Sequence, residues 1–275
     1  MKTLTQHIVK DLIKPREASS HKGTYGHALL VAGNIGRMGA AVIASRACLR
    51  AGTGLLTVNV PVEERIILQT SIPEAMLVFR DNSEYDLSNF SALGIGCGIG
   101  TGQDSLDLLT HFLTNYKKPI LLDADALNIL SENNLLLRKV PPHSIITPHP
   151  KEFDRLFGVH NALEQRIDTA IRKAEEHDIT IVLKGQKTLI TSGGESFLNS
   201  TGNAGLAKGG SGDALSGIIT ALLAQGYNPF TAAKIGVFIH GLAADITLKT
   251  QSKESMLITD VIENLGAAFK ELICE

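Results

Sequence analysis

Short aliphatic and β-branched runs alternate with longer amphipathic stretches along most of this chain, and glycine clusters separate them. That alternation restricts the fold more than any other feature, because strands joined through helices pair in parallel and are covered on both faces. The strand-like runs are His27–Gly33, Leu55–Val60, Ala92–Gly96, Pro119–Asp123, Ser144–Thr147, Ile179–Lys184 and Thr188–Thr191, with Gly185 and Gln186 as a tight turn between the last two. Helices are predicted over about residues 38–51, ended by Gly52, and from about Leu163 to His177. Two strongly apolar helices close the core, carried by Leu215, Ile218, Ile219, Leu222 and Leu223, and by Ile235, Phe238, Ile239, Leu242 and Ile246. The expected fold is α/β, a central mostly parallel sheet flanked by helices on both faces. At 275 residues, with no repeat or linker-like shift in composition, one domain spanning 1–275 is expected.

Composition excludes several classes of function. With 44% hydrophobic and 20% charged residues the chain is not disordered. A net charge of −2 supplies no long-range positive field to gather nucleic acid or an acidic membrane, so any polyanion it binds is small and held locally. Cys48, Cys97 and Cys274 are odd in number, widely spaced and without the paired spacing of a zinc or redox site, which fits a reducing cytosol. Met1 to His7 carries no apolar targeting core, and no run approaches the ~18 apolar residues of a spanning helix. The expectation is a cytoplasmic protein.

The strongest local signal runs from Thr201 to Gly217. Gly209, Gly210, Ser211 and Gly212 immediately precede an apolar helix, and glycines there let backbone N–H groups turn onto a phosphate that the helix N-terminus also attracts. Asp213 beside them is repelled by phosphate unless it works as a base, accepting the proton of a hydroxyl that attacks phosphorus. Taken alone, the motif is explained equally well by a tight turn with Asp213 as helix cap. The long Gly/Asn approach, including Asn203, favours the phosphate site. The Walker A and Gly-x-Gly-x-x-Gly fingerprints are both absent.

Other candidates lie at strand ends, where open α/β sheets bind ligands. Lys184, Gly185, Gln186, Lys187 and Thr188 offer backbone groups and two ammonium groups, although a solvated turn explains them alone. Asp123 and Asp125 suit Mg²⁺ held through water or a substrate contact, and helix capping explains Asp125 as well. His149, between Pro148 and Pro150, is held extended outside any helix and placed to touch a ligand. His27 and His240 sit in apolar periodic segments and read as satisfied structural histidines. Gly33, Gly36 and Gly39 open the first long helix and make a second anion-ready N-terminus, unless they serve only close packing. Two such sites suggest a bulky phosphorylated substrate beside a nucleotide.

Six ordered segments resemble one known family: GNIGRMGAAVIASRACLRAGTG (33–54), GIGCGIGTG (94–102), LDADALN (122–128), TPHPKEF (147–153), LKGQKT (183–188) and GNAGLAKGGSGDALSGI (202–218). They are similar to those of the nucleotide-dependent NAD(P)H-hydrate dehydratases, over nearly the whole chain. The resemblance implies a ribokinase-like fold without a lid. It implies repair of NADH or NADPH to whose nicotinamide ring water has added: ADP or ATP phosphorylates the ring hydroxyl, and phosphate leaves as the ring nitrogen pushes in its lone pair. Asp213 would be the base. Lys184 to Thr188 and Gly209 to Gly212 would bind the nucleotide, while Ala40, Gly102, Asp125, His149, Asn203 and Asp213 would contact the hydrated dinucleotide. Lys208 stands where members commonly have Thr or a small residue, and offers a charge to phosphate. Mg²⁺ would arrive with the nucleotide rather than on fixed protein ligands, and the assembly would be a homo-oligomer, a tetramer. The chain carries no counterpart of the epimerase domain fused in some members, so no epimerisation is expected.

Two other functions remain open at this stage. A small-alcohol kinase, acting on a hydroxymethylpyrimidine or hydroxyethylthiazole, would use the same phosphate loop and Asp213. A non-catalytic nucleotide-binding module would gain nothing from a carboxylate beside phosphate.

Overall fold

The computed structural model describes residues 1–80 and 85–273, and Cys274 lies outside the described residues. Ten strands form one sheet: β1 (Lys2–Leu4), β2 (His27–Val31), β3 (Leu55–Val60), β4 (Met76–Phe79), β5 (Ala92–Ile95), β6 (Ile120–Leu122), β7 (Ile145–Ile146), β8 (Thr180–Leu183), β9 (Leu189–Ser192) and β10 (Glu195–Asn199). Their order across the sheet is β1-β10-β9-β8-β7-β6-β5-β2-β3-β4. Among the described residues only β9 is reversed, pairing antiparallel with β8 and β10. The other pairings are parallel. The seven runs expected as strands are β2, β3 and β5 to β9, each within one or two residues of its expected ends.

The helices are α1 (Gln6–Leu12), α2 (Met38–Arg50), α3 (Arg65–Ser71), α4 (Gln103–Asn115), α5 (Asp125–Glu132), α6 (Asn134–Leu137), α7 (Pro150–Phe157), α8 (Leu163–Glu176), α9 (Ser211–Ala224), α10 (Pro229–Thr247), α11 (Ile258–Glu263) and α12 (Leu265–Ile273). Successive strand residues point to opposite faces, and both faces are buried. Ala28, Leu30, Leu56, Val58 and Val182 pack with α2, α9, α10 and α12. Leu29, Val31, Leu93, Ile95 and Ile181 pack with α4, α5, α7 and α8. This double burial explains why the strands read as continuous apolar runs rather than as alternating ones.

Small residues bring α9 close to its neighbours. A Cβ built on Gly217 would lie 2.1 Å from the Ala44 carbonyl oxygen of α2, and one on Gly94 of β5 would lie 2.3 Å from Thr220 Oγ1 of α9. The helix thus lies directly over the middle of the sheet. Strand order reverses there, since β3 and β4 extend from one side of β2 while β5 to β8 extend from the other. Crevices beyond the strand carboxyl ends at such a switch point are where α/β sheets bind ligands.

Gly217→Ala should destabilise the fold by about 1–3 kcal/mol, because a backbone carbonyl cannot move aside cheaply. Gly266→Ala, where an added Cβ meets nothing within 4 Å, should leave stability unchanged or raise it. Denaturant melts of the two variants check the comparison.

Candidate active site

The carboxyl ends of β6 and β8 place Asp123 and Lys184 side by side. Asp123 is 1% exposed and both its oxygens are engaged: Lys184 Nζ donates to Oδ1 at 2.7 Å and Ser216 Oγ of α9 donates to Oδ2 at 2.6 Å. Lys184 also approaches Glu152 Oε2 at 3.9 Å. With a cation and a hydroxyl on it, Asp123 anchors Lys184 to α9. Asp125 is committed too, accepting from the Gly100 N–H at 2.8 Å with Arg37 Nη1 at 3.6 Å, and it is not the cap of α5, a position held by Ala124. Ala124 itself has φ 49° and ψ −117°, a sparsely populated conformation for a residue with a side chain. It turns the chain between the two aspartates. Among the described residues no group of three or more His, Cys, Asp and Glu side chains is placed to hold a metal.

Glycines bring the phosphate loop onto this pair. Gly210, at φ +91°, caps α9 in the left-handed region, and a Cβ on Gly212 would lie 3.3 Å from Lys184 Nζ and 3.4 Å from Asp123 Oδ2. Asp213 is therefore not the helix cap; it stands in the first turn of α9. Together these residues open onto a cavity of about 1050 Å³ whose walls include Lys184, Gly185, Gln186, Thr188, Asn203, Gly210, Ser211, Gly212, Asp213 and His149. Lys187 and Gly209 are not in its lining.

His149 is extended, at φ −78° and ψ 167°, as the flanking prolines required, yet it also caps α7. Its Nδ1 accepts from the Lys151 and Glu152 N–H groups at 3.1 and 3.2 Å, and the Glu152 carboxylate accepts its backbone N–H at 2.8 Å. Asn203 spends both ends of its amide on structure, Oδ1 accepting from the Gly205 N–H and Nδ2 donating to Asp245. It shapes the 201–207 turn. Lys208 does not face the phosphate loop as a free charge: its Nζ donates to the Glu254 and Met256 carbonyls, tying the turn to the segment before α11.

Ala40 and Gly102 are not in the cavity lining and belong to glycine-rich loops that meet each other. Gly33 N–H donates to the Cys97 carbonyl at 2.7 Å, which joins the two glycine-rich loops at the switch point. Ala40 packs there against Gly98, whose added Cβ would lie 2.9 Å from the Ala40 methyl, and Gly102 caps α4. Cys97 and Asp125 of the adjoining loops are close enough to Asp213 to act on its charge. Asp213 thus lines the cavity beside the segment that carries Cys97.

The sequence profile of NAD(P)H-hydrate dehydratases matches residues 28–266. The chain belongs to the NAD(P)H-hydrate dehydratase family. It is 42% identical over 86% of its length to the ADP-dependent (S)-NAD(P)H-hydrate dehydratase of Neisseria meningitidis serogroup B, covering 81% of that protein. It is 34% identical to the bifunctional NAD(P)H-hydrate repair enzyme of Moorella thermoacetica, of which it spans about half, 54%. Among solved structures, the ADP/ATP-dependent NAD(P)H-hydrate dehydratase of Bacillus subtilis co-crystallised with ATP and Mg²⁺ superposes with a TM-score of 0.88 at 32% identity, over 98% of both chains. The fold shared by these dehydratases is the ribokinase-like one.

Electrostatics at the site follows from burial and the neighbouring carboxylates. Desolvation and then Asp123 raise the Asp213 pKa, against the pull of the Cys97 thiol and Lys184. Burial lowers the Lys184 pKa, but Asp123 and Glu152 more than reverse this and leave it above its ordinary value. Burial pulls His149 down, so with Nδ1 accepting it presents Nε2–H. Sequence reasoning missed Cys97, Ser216 and Asp245 as parts of the site; only their nearness to glycine motifs or the apolar helices marked them. It also took His240 for a satisfied histidine. The structure places it in the cavity wall, 6% exposed, with Nε2 unpartnered.

Asp213 has a folded-state pKa above its unfolded value, so its ionised form burdens the fold above the folded pKa and not below the unfolded one. Asp213→Asn should therefore melt higher than the wild type at and above neutral pH, with the difference vanishing in acid. Lys184→Met strands the buried Asp123 charge and should cost about 3–5 kcal/mol in denaturant unfolding.

Proposed function

We propose that this chain dehydrates hydrated NADH or NADPH in a nucleotide-dependent reaction. The observation that carries the reading is the place of Asp213 in the wall of a cavity of about 1050 Å³, beside the Gly210–Gly212 loop at the start of α9, with its pKa raised by burial. A base there stands where a phosphoryl donor and an attacking hydroxyl can meet. Family membership and the names of the relatives point the same way.

In this reading the nucleotide lies in the cavity. Lys184 to Thr188 hold it along the β8–β9 turn, and the N–H groups of Gly209 to Gly212 and the α9 N-terminus face its phosphates. Ala40, Gly102, Asp125, His149 and Asn203 contact the hydrated nicotinamide dinucleotide, His149 and Asn203 from the wall of the same cavity, Asp125 and Asn203 by fixing the loops they bond. Asp213 accepts the ring hydroxyl proton as the oxygen attacks the terminal phosphorus of ADP or ATP and the nucleotide leaves as AMP or ADP. Phosphate is a far better leaving group than hydroxide. It departs as the ring nitrogen lone pair moves in, and loss of a proton from the adjacent ring carbon restores the double bond. Mg²⁺ brought with the nucleotide would supply neutralisation of the phosphate charge, beside the Lys184 ammonium.

The whole chain acts as a single catalytic unit, in the cytoplasm and as a homotetramer. Supporting this, no helix among the described residues is long and apolar enough to cross a membrane, and Ile66 of α3 and Met76 of the edge strand β4 are exposed apolar groups that an assembly would cover.

The test mixes purified protein with hydrated NADH and Mg²⁺, adds ADP or ATP in parallel, and follows reduced-nicotinamide absorbance. Recovery that depends on nucleotide is expected, with one nucleotide consumed per ring restored. No recovery with either donor from folded protein would favour the small-alcohol kinase, and phosphorylation of pyrimidine or thiazole alcohols would then establish it.

A further inference from the structure

One wall of the cavity is apolar apart from a single side chain. Leu215 of α9, Val237 and Gly241 of α10, and Leu206 and Ala207 of the preceding turn form it. His240 sits in the same wall, 6% exposed; its Nε2 is itself shielded and has no hydrogen-bond partner. Thr201, also in the lining, does not serve it: Thr201 Oγ1 donates to the Phe238 carbonyl at 2.8 Å. The backbone of the 201–202 turn presses on α10 here, since a Cβ on Gly241 would lie 2.7 Å from the Thr201 carbonyl carbon and 2.8 Å from the Gly202 nitrogen. The wall is therefore thin and closely approached, with one unpaired polar nitrogen in it.

The chemistry of that nitrogen selects what it can recognise. Burial and the nearby Lys184 ammonium hold the His240 pKa down at about 4, so the ring is neutral at working pH. A neutral imidazole offers one donor or one acceptor to a neutral polar group, and adds little for an anion that Lys184 and the α9 N-terminus already attract. Aliphatic surface around it suits the flat face of a heterocycle or a sugar. We propose that His240 is the residue that recognises the nucleoside part of the phosphoryl donor, with the base or ribose packed on the Leu215–Val237–Gly241 wall and hydrogen-bonded to the imidazole, which turns from its shielded position to meet it. The proposal rests on the reading of this cavity as the nucleotide site. It makes His240 a specificity residue rather than a group that acts on phosphorus.

His240→Phe keeps an aromatic ring of similar size and removes both nitrogens. Calorimetry compares the binding of ADP, 2′-deoxy-ADP, UDP and pyrophosphate to the wild type, His240→Phe and Gly212→Val. The expected result is about a tenfold loss of ADP affinity in His240→Phe, with pyrophosphate binding unchanged. A loss shared by 2′-deoxy-ADP but not by UDP places the contact on the base, and one shared by UDP but not by 2′-deoxy-ADP places it on the ribose; either supports the proposal. Equal losses for ADP and pyrophosphate would assign His240 to phosphate and overturn it. Weakening by Gly212→Val with none by His240→Phe would overturn the His240 role alone, whereas ADP binding indifferent to both would overturn the cavity reading itself. Should His240→Phe fail to fold, the ¹⁵N resonance of His240 in the wild type decides. A shift with ADP and none with pyrophosphate is expected, and equal shifts with both would contradict the proposal.

Discussion

The buried contact of Lys184 with Asp123 organises the site. Asp123 is nearly inaccessible and carries a charge that the interior tolerates only when paired and hydrogen-bonded. Lys184 from β8 and Ser216 from α9 provide that pairing, so one carboxylate fixes a sheet strand and a helix in register. Gly212 fits against this pair because it lacks a side chain. The α9 N-terminus, the lysine and Asp213 are thereby brought to one place, with Asp123 as a second negative charge that raises the affinity of Asp213 for a proton.

Topology supplies the rest. Since β2 and β5 lie side by side while their following helices leave on opposite faces, their glycine-rich loops meet at the switch point, and the Gly33 N–H to Cys97 carbonyl bond joins them. Asp213 of α9 lies near enough to Cys97 to feel it. A buried base in the wall of a large cavity suits transfer of a phosphoryl group, and it also serves a kinase. What separates the two chemistries is the fate of the phosphorylated alcohol, which the substrate's own ring nitrogen decides.

Legibility in the sequence followed burial. Strands buried on both faces, such as Leu55–Val60 and Thr180–Leu183, appear as unbroken apolar runs and were readable. The sequence reading did not identify β1, β4 and β10: β1 and β4 are edge strands of three and four residues, and Glu195–Asn199 mixes charged, polar and apolar residues. Local motifs were readable where one segment carries the signal, as in Gly209–Asp213 and the Pro-His-Pro turn. Pairings between distant segments were not. Nothing in the sequence assigns Lys184 to Asp123 across 61 residues, gives Cys97 to Asp213, or withholds a partner from His240. The same gap hides the partners of Asp123, Asp125, Asn203 and Lys208, which only the folded chain brings near.

The central claim is that Asp213 accepts the proton of the attacking hydroxyl and is not needed to hold the nucleotide. The most direct measurement is turnover of hydrated NADH by Asp213→Asn alongside its affinity for ADP. The account predicts a loss of at least about two orders of magnitude in rate, the usual worth of a general base, with ADP binding retained. Unchanged turnover in a folded Asp213→Asn protein would contradict it.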